Sequence, residues 1–76
     1  MRNFKDERDR GWQVAVASGS YGAQVLVFSP DGGGEARKAA LGEGTALEAE
    51  QALAEFDAGE LRRLLATSVR WDEDPV

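Results

Sequence analysis

The sequence predicts a single α+β domain over residues 1–76, an antiparallel β-meander of three strands that two C-terminal helices cover on one face. Three observations lead to it. Apolar residues alternate with a period of two before residue 30, glycine-rich breakers separate these segments, and apolar stripes of helical period follow residue 45. The length of 76 residues allows one domain only. Residues 2–6 are a candidate fourth strand, at the edge of the sheet.

The two clearest strands are predicted at residues 12–18 and 23–29. In the first, the bulky side chains of Trp12, Val14 and Val16 alternate with smaller side chains. This alternation predicts that the bulky side chains, the heavy face of the strand, lie in the core, and that the smaller ones, its light face, lie on the opposite side. In the second, both faces are apolar, so we expect a central strand that is covered at least in part on both sides. If the sheet face away from the helices stays uncovered, it is a natural surface for a dimer or a partner.

A third strand is predicted at residues 35–41, after the strongest breaker in the chain, which runs from Pro30 to Gly34. The composition of residues 35–41 favours a helix, but the segment is short and has glycines on both sides. A meander places a strand here, with Arg37 and Lys38 on opposite faces of the sheet.

Two helices are predicted at residues 46–56 and 58–68, followed by a tail at 70–76. Thr45 and Glu48 fit a capping box, in which the Thr45 hydroxyl accepts from the Glu48 amide while the Glu48 carboxylate reaches back to the Thr45 amide. Asp57 and Glu60 repeat this pattern before the second helix. The helix side chains predicted to face the core are Ala46, Ala49, Leu53, Phe56, Leu61, Leu64, Leu65 and Val69.

The composition excludes several kinds of chemistry. Nine basic and 14 acidic residues give a net charge of −5, and the chain has neither cysteine nor histidine. Disulfides, thiolate metal sites and structural zinc are therefore excluded, together with the commonest general base of enzymes. No cofactor or metal site is predicted, and an enzyme would have to use carboxylates, one of them with a raised pKa. The acidic balance argues against nucleic acid as a partner.

The sequence also bears on location. The longest strongly apolar run, Val25–Phe28, is far too short to cross a bilayer. The first residues contain no apolar signal-peptide core. We therefore expect a cytoplasmic protein without a membrane partner.

Four residues are candidates for a partner surface, namely Tyr21, Trp71, Arg62 and Arg63. Tyr21 occupies a predicted turn, where we expect its ring to be exposed. Trp71 follows the last helix, and it either closes over the core or forms a partner patch; a core this small favours packing. Arg62 and Arg63 point outward from the second helix, where Glu60 is spaced to pair with Arg63.

The segments Phe28-Ser-Pro-Asp31, Gly42-Glu-Gly44-Thr45 and Glu48-Ala49 resemble HicB-type antitoxins, which carry similar Pro-Asp, Gly-x-Thr and Glu-Ala elements across a hairpin and a helix start. This resemblance implies a three-stranded sheet against a helix and the binding of a small toxin. The same region is similar to the second half of double-stranded RNA-binding domains, which implies RNA binding. As a whole, the chain looks most like short bacterial proteins of uncharacterised function, through Phe4-x-Asp6, Gly11-Trp12, Ser20-Tyr21-Gly22 and Leu26-Val27-Phe28. That resemblance implies no activity.

The sequence therefore predicts a non-enzymatic protein-interaction module of the bacterial cytoplasm, which binds an unidentified protein or a second copy of itself. A nucleic-acid-associated or antitoxin-like regulatory protein is the alternative, and nucleic-acid binding requires five basic residues to converge on one face. These residues are Arg37, Lys38, Arg62, Arg63 and Arg70. A small carboxylate-based enzyme is the third hypothesis, and it requires a pocket.

Overall fold

The structure is a computed structural model that describes residues 2–18 and 22–71. Five strands form one antiparallel sheet in the order β1-β2-β3-β4-β5, and two helices lie between the last two strands in sequence. The predicted α+β class is confirmed. The elements are β1 (Arg2–Lys5), β2 (Gly11–Ser18), β3 (Ala23–Pro30), β4 (Arg37–Glu43), α1 (Ala46–Glu55), α2 (Ala58–Thr67) and β5 (Val69–Arg70).

The sheet has more strands than the three or four predicted. β5 lies directly after the second helix predicted at 58–68, and its second residue is the first of the tail predicted at 70–76. Its two residues pair with Arg37 and Lys38, and the next amide, of Trp71, donates to Ala36 O at 2.9 Å. Two residues are too few to show a period in the sequence, so this strand is defined by its partner rather than by its own pattern.

β4 is a strand, as the meander requires, although its composition favours a helix. It spans Arg37–Glu43 rather than residues 35–41. Its pairing with β3 shifts register, because Gln24 pairs with Gly42 while Val25 pairs with Ala40, so that Leu41 is an extra residue on the β4 side.

The helices pack on one face of the sheet and form a single small core with it. The rings of Phe4 and Phe28 meet edge to face in this core, with 6.0 Å between their centroids. The prediction that Trp12 lies in the core is confirmed. Of the stripe predicted for α1, Ala49 and Leu53 are buried, whereas Ala46, in the first turn of the helix, is exposed. The core cluster comprises Phe4, Trp12, Val14, Leu26, Phe28, Ala39, Leu53 and Leu61.

Local side-chain hydrogen bonds determine where the helices begin. Thr45 and Glu48 form both halves of the predicted capping box. At α2, Asp57 Oδ1 accepts from the Glu60 amide at 2.8 Å. The Glu60 carboxylate lies 3.2 Å from Arg63 Nη2, on the surface of the same helix.

Arginines from the sheet bind the carboxyl ends of both helices. Arg2 Nη1 donates to Leu53 O at 2.7 Å and to Phe56 O at 2.6 Å, at the end of α1. Arg37 donates from Nε to Ser68 Oγ at 2.7 Å and from Nη2 to Ser68 O at 2.6 Å, at the end of α2. Neither helix has a basic residue in its last turn. The two strand arginines therefore supply the positive charge that a helix C-terminus favours.

Candidate protein-interaction surface

Within residues 2–18 and 22–71, neither helix covers the sheet face that points away from the core. Paired residues of neighbouring strands point to the same side of a sheet, so the register shows which side chains share this face. We call this surface the open face. Its central positions are Ala15, Ala17, Val25, Val27, Lys38, Ala40 and Val69.

Apart from Lys38, the central positions of the open face are apolar. Val25 and Val27 alternate along β3 with Leu26 and Phe28, which are fully buried on the helix side. The two valines are only half-buried, and both helices lie on the opposite side of the sheet. β3 is the central strand of the sheet, as expected, but within the described residues no helix covers its second face, where the two valines are buried only in part.

Trp71 stands at one margin of the open face. Side chains alternate along a strand, so Val69 and Trp71 point to the same side of β5. Trp71 is 51% exposed and does not belong to the core cluster, so the expectation that it packs into the core is wrong. Lys38 Nζ lies 5.6 Å from the centroid of the indole ring, in a cation–π arrangement that holds the ring beside the sheet.

Polar side chains surround the apolar centre. The β1 positions Asn3 and Lys5 lie at the opposite margin from Trp71, and Lys5 pairs with Asp9 across 3.6 Å, with both groups exposed. Gln13, Ser29 and Glu43 occupy the ends of the longer strands on this side. An apolar centre within a polar rim is the usual anatomy of a protein–protein interface.

The structure does not bring the four predicted site residues together. Trp71 borders the open face, whereas Tyr21 lies outside the described residues. Arg62 and Arg63 are on α2, on the other side of the sheet. Arg62 Nε donates to Lys5 O at 2.8 Å, and Arg63 pairs with Glu60. Of the four, Trp71 alone therefore contributes to the open face within the described part of the chain.

The basic residues that a nucleic-acid interface would need are also dispersed. Lys38 points to the open face, whereas Arg37 points to the helix side and binds Ser68. Arg70 Nε lies 3.8 Å from a Glu35 carboxylate oxygen. Together with the positions of the two α2 arginines, these contacts place the cations on both sides of the sheet rather than on one surface.

The carboxylates with a shifted pKa are held by hydrogen bonds in loops and caps. The Trp12 indole and the amides of Arg10 and Arg8 hold the pKa of Asp6 below its ordinary value. The Thr45 amide and hydroxyl lower the pKa of Glu48 in the same way. Both shifts favour the charged form, whereas the proposed acid catalyst requires a raised pKa.

Two shallow clefts lie on the helix side of the protein. One, of about 210 Å³, lies between the end of β4 and the start of α1, and Glu48 lines it while forming the cap. The other, of about 350 Å³, lies between the β1–β2 turn and α2.

Within residues 2–18 and 22–71, no group of three acidic side chains is arranged to hold a metal ion. Neither described helix is long and apolar enough to span a membrane.

Sequence reasoning identified part of the open face and missed the rest. The light face of β2, with Gln13, Ala15 and Ala17, followed from its period of two. Ala40 and Val69 were missed: Ala40 lies in the predicted third strand but was not assigned to a face, and Val69 was counted with the buried stripe of the second helix. The spacing of Val69 and Trp71, two residues apart, was the available signal that both share one face. Leu47, 68% exposed on α1, is a single apolar side chain away from this surface.

Comparisons with protein-family models, with curated proteins and with solved structures found no significant match to this chain.

Proposed function

We propose that this protein is a non-enzymatic protein-interaction module and that the open face is its binding surface. The observation that carries the proposal is the row of half-buried and exposed apolar side chains on the helix-free side of the sheet, bordered by the exposed ring of Trp71. Contiguous apolar patches of this kind on small proteins mark interaction sites.

The chemistry of the surface favours a protein over a polyanion. Alanine and valine side chains at the centre gain free energy by leaving water, and they are small enough to let another surface approach the sheet closely. Tryptophan is the residue most often found at energetic hot spots of interfaces. Trp71 therefore has the position and the exposure of an anchor.

A photocrosslinking amino acid at position 27 tests this proposal in the cells that make the protein. We expect irradiation to join Val27-substituted protein to another polypeptide, identified by mass spectrometry, because this position lies at the centre of the open face. The same amino acid at Gln51, exposed on α1, is the matched control and should give no specific adduct. Equal adducts at both positions, or none at position 27, would contradict the proposal.

A further inference from the structure

We infer that the occupant of the open face is a second copy of this chain, packed sheet against sheet about a two-fold axis. The inference rests on the proposed function and names its partner. Three features of the structure support it: the protected edges of the sheet, the area of the open face, and the way its two margins complement each other.

The edges of the sheet are poor sites for adding a strand. β1, at one edge, is four residues long and carries Arg2 and Lys5, and charged, short edge strands resist pairing. At the other edge, β5 covers two residues of β4, and the remainder of β4 contains the bulge at Leu41. A bulge distorts the backbone that an added strand would have to follow. Association through the face is therefore favoured over association through an edge.

The open face is large enough for a weak dimer. The strands are 4, 8, 8, 7 and 2 residues long, and at about 3.3 Å per residue and about 4.8 Å per strand these 29 residues cover about 460 Å². Two copies would bury about 900 Å² through their strands, slightly less than the roughly 1,000 Å² of the smallest stable specific interfaces. We therefore expect a weak, transient dimer.

The two margins of the face complement each other. Trp71 projects at the β5 margin, whereas the opposite margin presents no aromatic ring on this face: β1 carries Asn3 and Lys5, and β2 carries the small side chains of Ala15 and Ala17 beside Gln13. A two-fold axis parallel to the strands lays the β5 margin of each copy over the β1–β2 margin of the other. Two sheets then approach to about 10 Å, and each indole ring lies over the β1–β2 margin of the facing sheet.

The charges are compatible with this arrangement. Among the described acidic residues, Glu43 alone occupies a strand position, and it lies at the end of the face. With the axis parallel to the strands, Lys38 of one copy lies over Ala15 of the second copy rather than over another lysine. Each copy still has a net charge of −5, which opposes association at long range. Moderate salt should therefore strengthen the dimer, since it screens this repulsion.

Sedimentation velocity from about 1 to 500 µM tests the inference on the full chain. We expect the wild type to shift from monomer to dimer, at lower concentration in about 0.3 M salt than in about 0.02 M salt. Val27→Glu should remain monomeric, because it buries a carboxylate at the centre of the interface. Val27 pairs with Lys38 in the sheet, so the new carboxylate gains a cross-strand cation and the monomer should still fold, as circular dichroism would show.

Two further variants identify the surface. Gln51→Glu adds the same charge to α1 and should dimerise as the wild type does. Trp71→Ala should weaken the dimer at least tenfold, as expected for an anchor residue. A wild type that stays monomeric at 500 µM would overturn the inference, and so would a Val27→Glu variant that dimerises normally. If the wild type is monomeric but position 27 crosslinks to a different protein, the inference fails while the proposed function stands. If neither association nor a crosslink is found, both fail.

Discussion

The side chain of Asp6 joins the turn after β1 to the core. Its Oδ2 accepts from the Trp12 indole at 2.9 Å, and its Oδ1 accepts from the amides of Arg8 at 2.8 Å and Arg10 at 2.9 Å. The bond from Trp12 is the main cause of the lowered pKa of the carboxyl group. The sequence shows five consecutive charged residues here, from Asp6 to Arg10. It did not indicate this bond, because the β1–β2 register is what brings the indole to the carboxylate.

Asp6 should make the stability of the protein depend on acid pH. Its pKa is lower in the folded than in the unfolded chain, so its contribution is present above the ordinary value of 3.8 and is lost as the pH falls through the folded pKa. We expect the free energy of unfolding to fall less steeply below pH 3.8 in Asp6→Asn than in the wild type. Urea denaturation between about pH 2.5 and 6 measures this.

Glu7→Gln is the control for this experiment, since Glu7 is an exposed residue of the same turn. Its free energy of unfolding should fall below pH 3.8 as steeply as that of the wild type. Identical acid dependence in Asp6→Asn and the wild type would show that the three hydrogen bonds do not set the folded pKa of Asp6.

At the scale of elements, the strand arginines connect the sheet to the helix ends. Arg2 reaches from β1 to three carbonyl groups at the end of α1, those of Leu53, Ala54 and Phe56. The last carbonyls of a helix lack the amide four residues on, and here only Leu53 O also accepts from the C-cap amide, that of Phe56, at 3.3 Å. The guanidinium therefore supplies hydrogen bonds that these groups would otherwise make to water. Its contribution combines charged hydrogen bonds with the attraction of a cation to the helix C-terminus.

Replacing Arg2 by methionine should lower the free energy of unfolding by about 1–3 kcal/mol, the usual loss when a hydrogen-bonded charged group is removed. Methionine keeps much of the apolar stem, so the change isolates the guanidinium. Arg8→Met, at an exposed turn position, is the matched control and should change the free energy by less than about 0.5 kcal/mol. Equal effects of the two substitutions in urea denaturation would exclude a capping role for Arg2.

The elements differ in how far the sequence predicts them. Thr45 and Glu48 form their capping box within four residues, so a local pattern was sufficient to place the start of α1. β5 depends on its pairing with Arg37, more than 30 residues earlier in the chain. The C-terminal caps also join distant residues, so no window of sequence contains both partners. The sequence alone therefore could not predict the contacts between residues that are far apart in the chain, namely the pairing of β5 and the C-terminal caps of the helices.

At the scale of the whole molecule, stability depends on very few buried side chains. A chain of 76 residues is expected to have a free energy of unfolding of about 4–11 kcal/mol. Leu53 is 1% exposed and lies in the core cluster between α1 and the sheet. Loss of one such side chain removes a large share of the total.

Leu53→Ala should lower the free energy of unfolding by about 2–5 kcal/mol, through lost burial and the cavity left behind. Leu47→Ala makes the same chemical change on the same helix at a side chain that is 68% exposed, and it should cost less than about 0.5 kcal/mol. Thermal and urea denaturation of both variants measure the difference. Similar losses for the two leucines would mean that the core is not packed as described.

The overall topology was predictable because each of the first four strands pairs with its neighbour in sequence. The heavy and light faces of β2 also showed which side the helices would cover. The position of Trp71 was not predictable in this way, because the argument from a small core assumed that every large side chain is needed inside. β5 places this ring on the helix-free side of the sheet, where the core cannot use it.

The long reach of the contacts that hold β1 has a consequence for synthesis. Arg2 binds carbonyls of Leu53 to Phe56, and Lys5 O accepts from Arg62. At the usual rate of translation, the roughly 40 residues between Ser18 and Phe56 take about 2–8 s to be added. During that time β1 can be held only by its hairpin with β2, and an isolated hairpin is marginally stable in water. Of the five described strands, the first to be synthesised is thus among the last to be held in place.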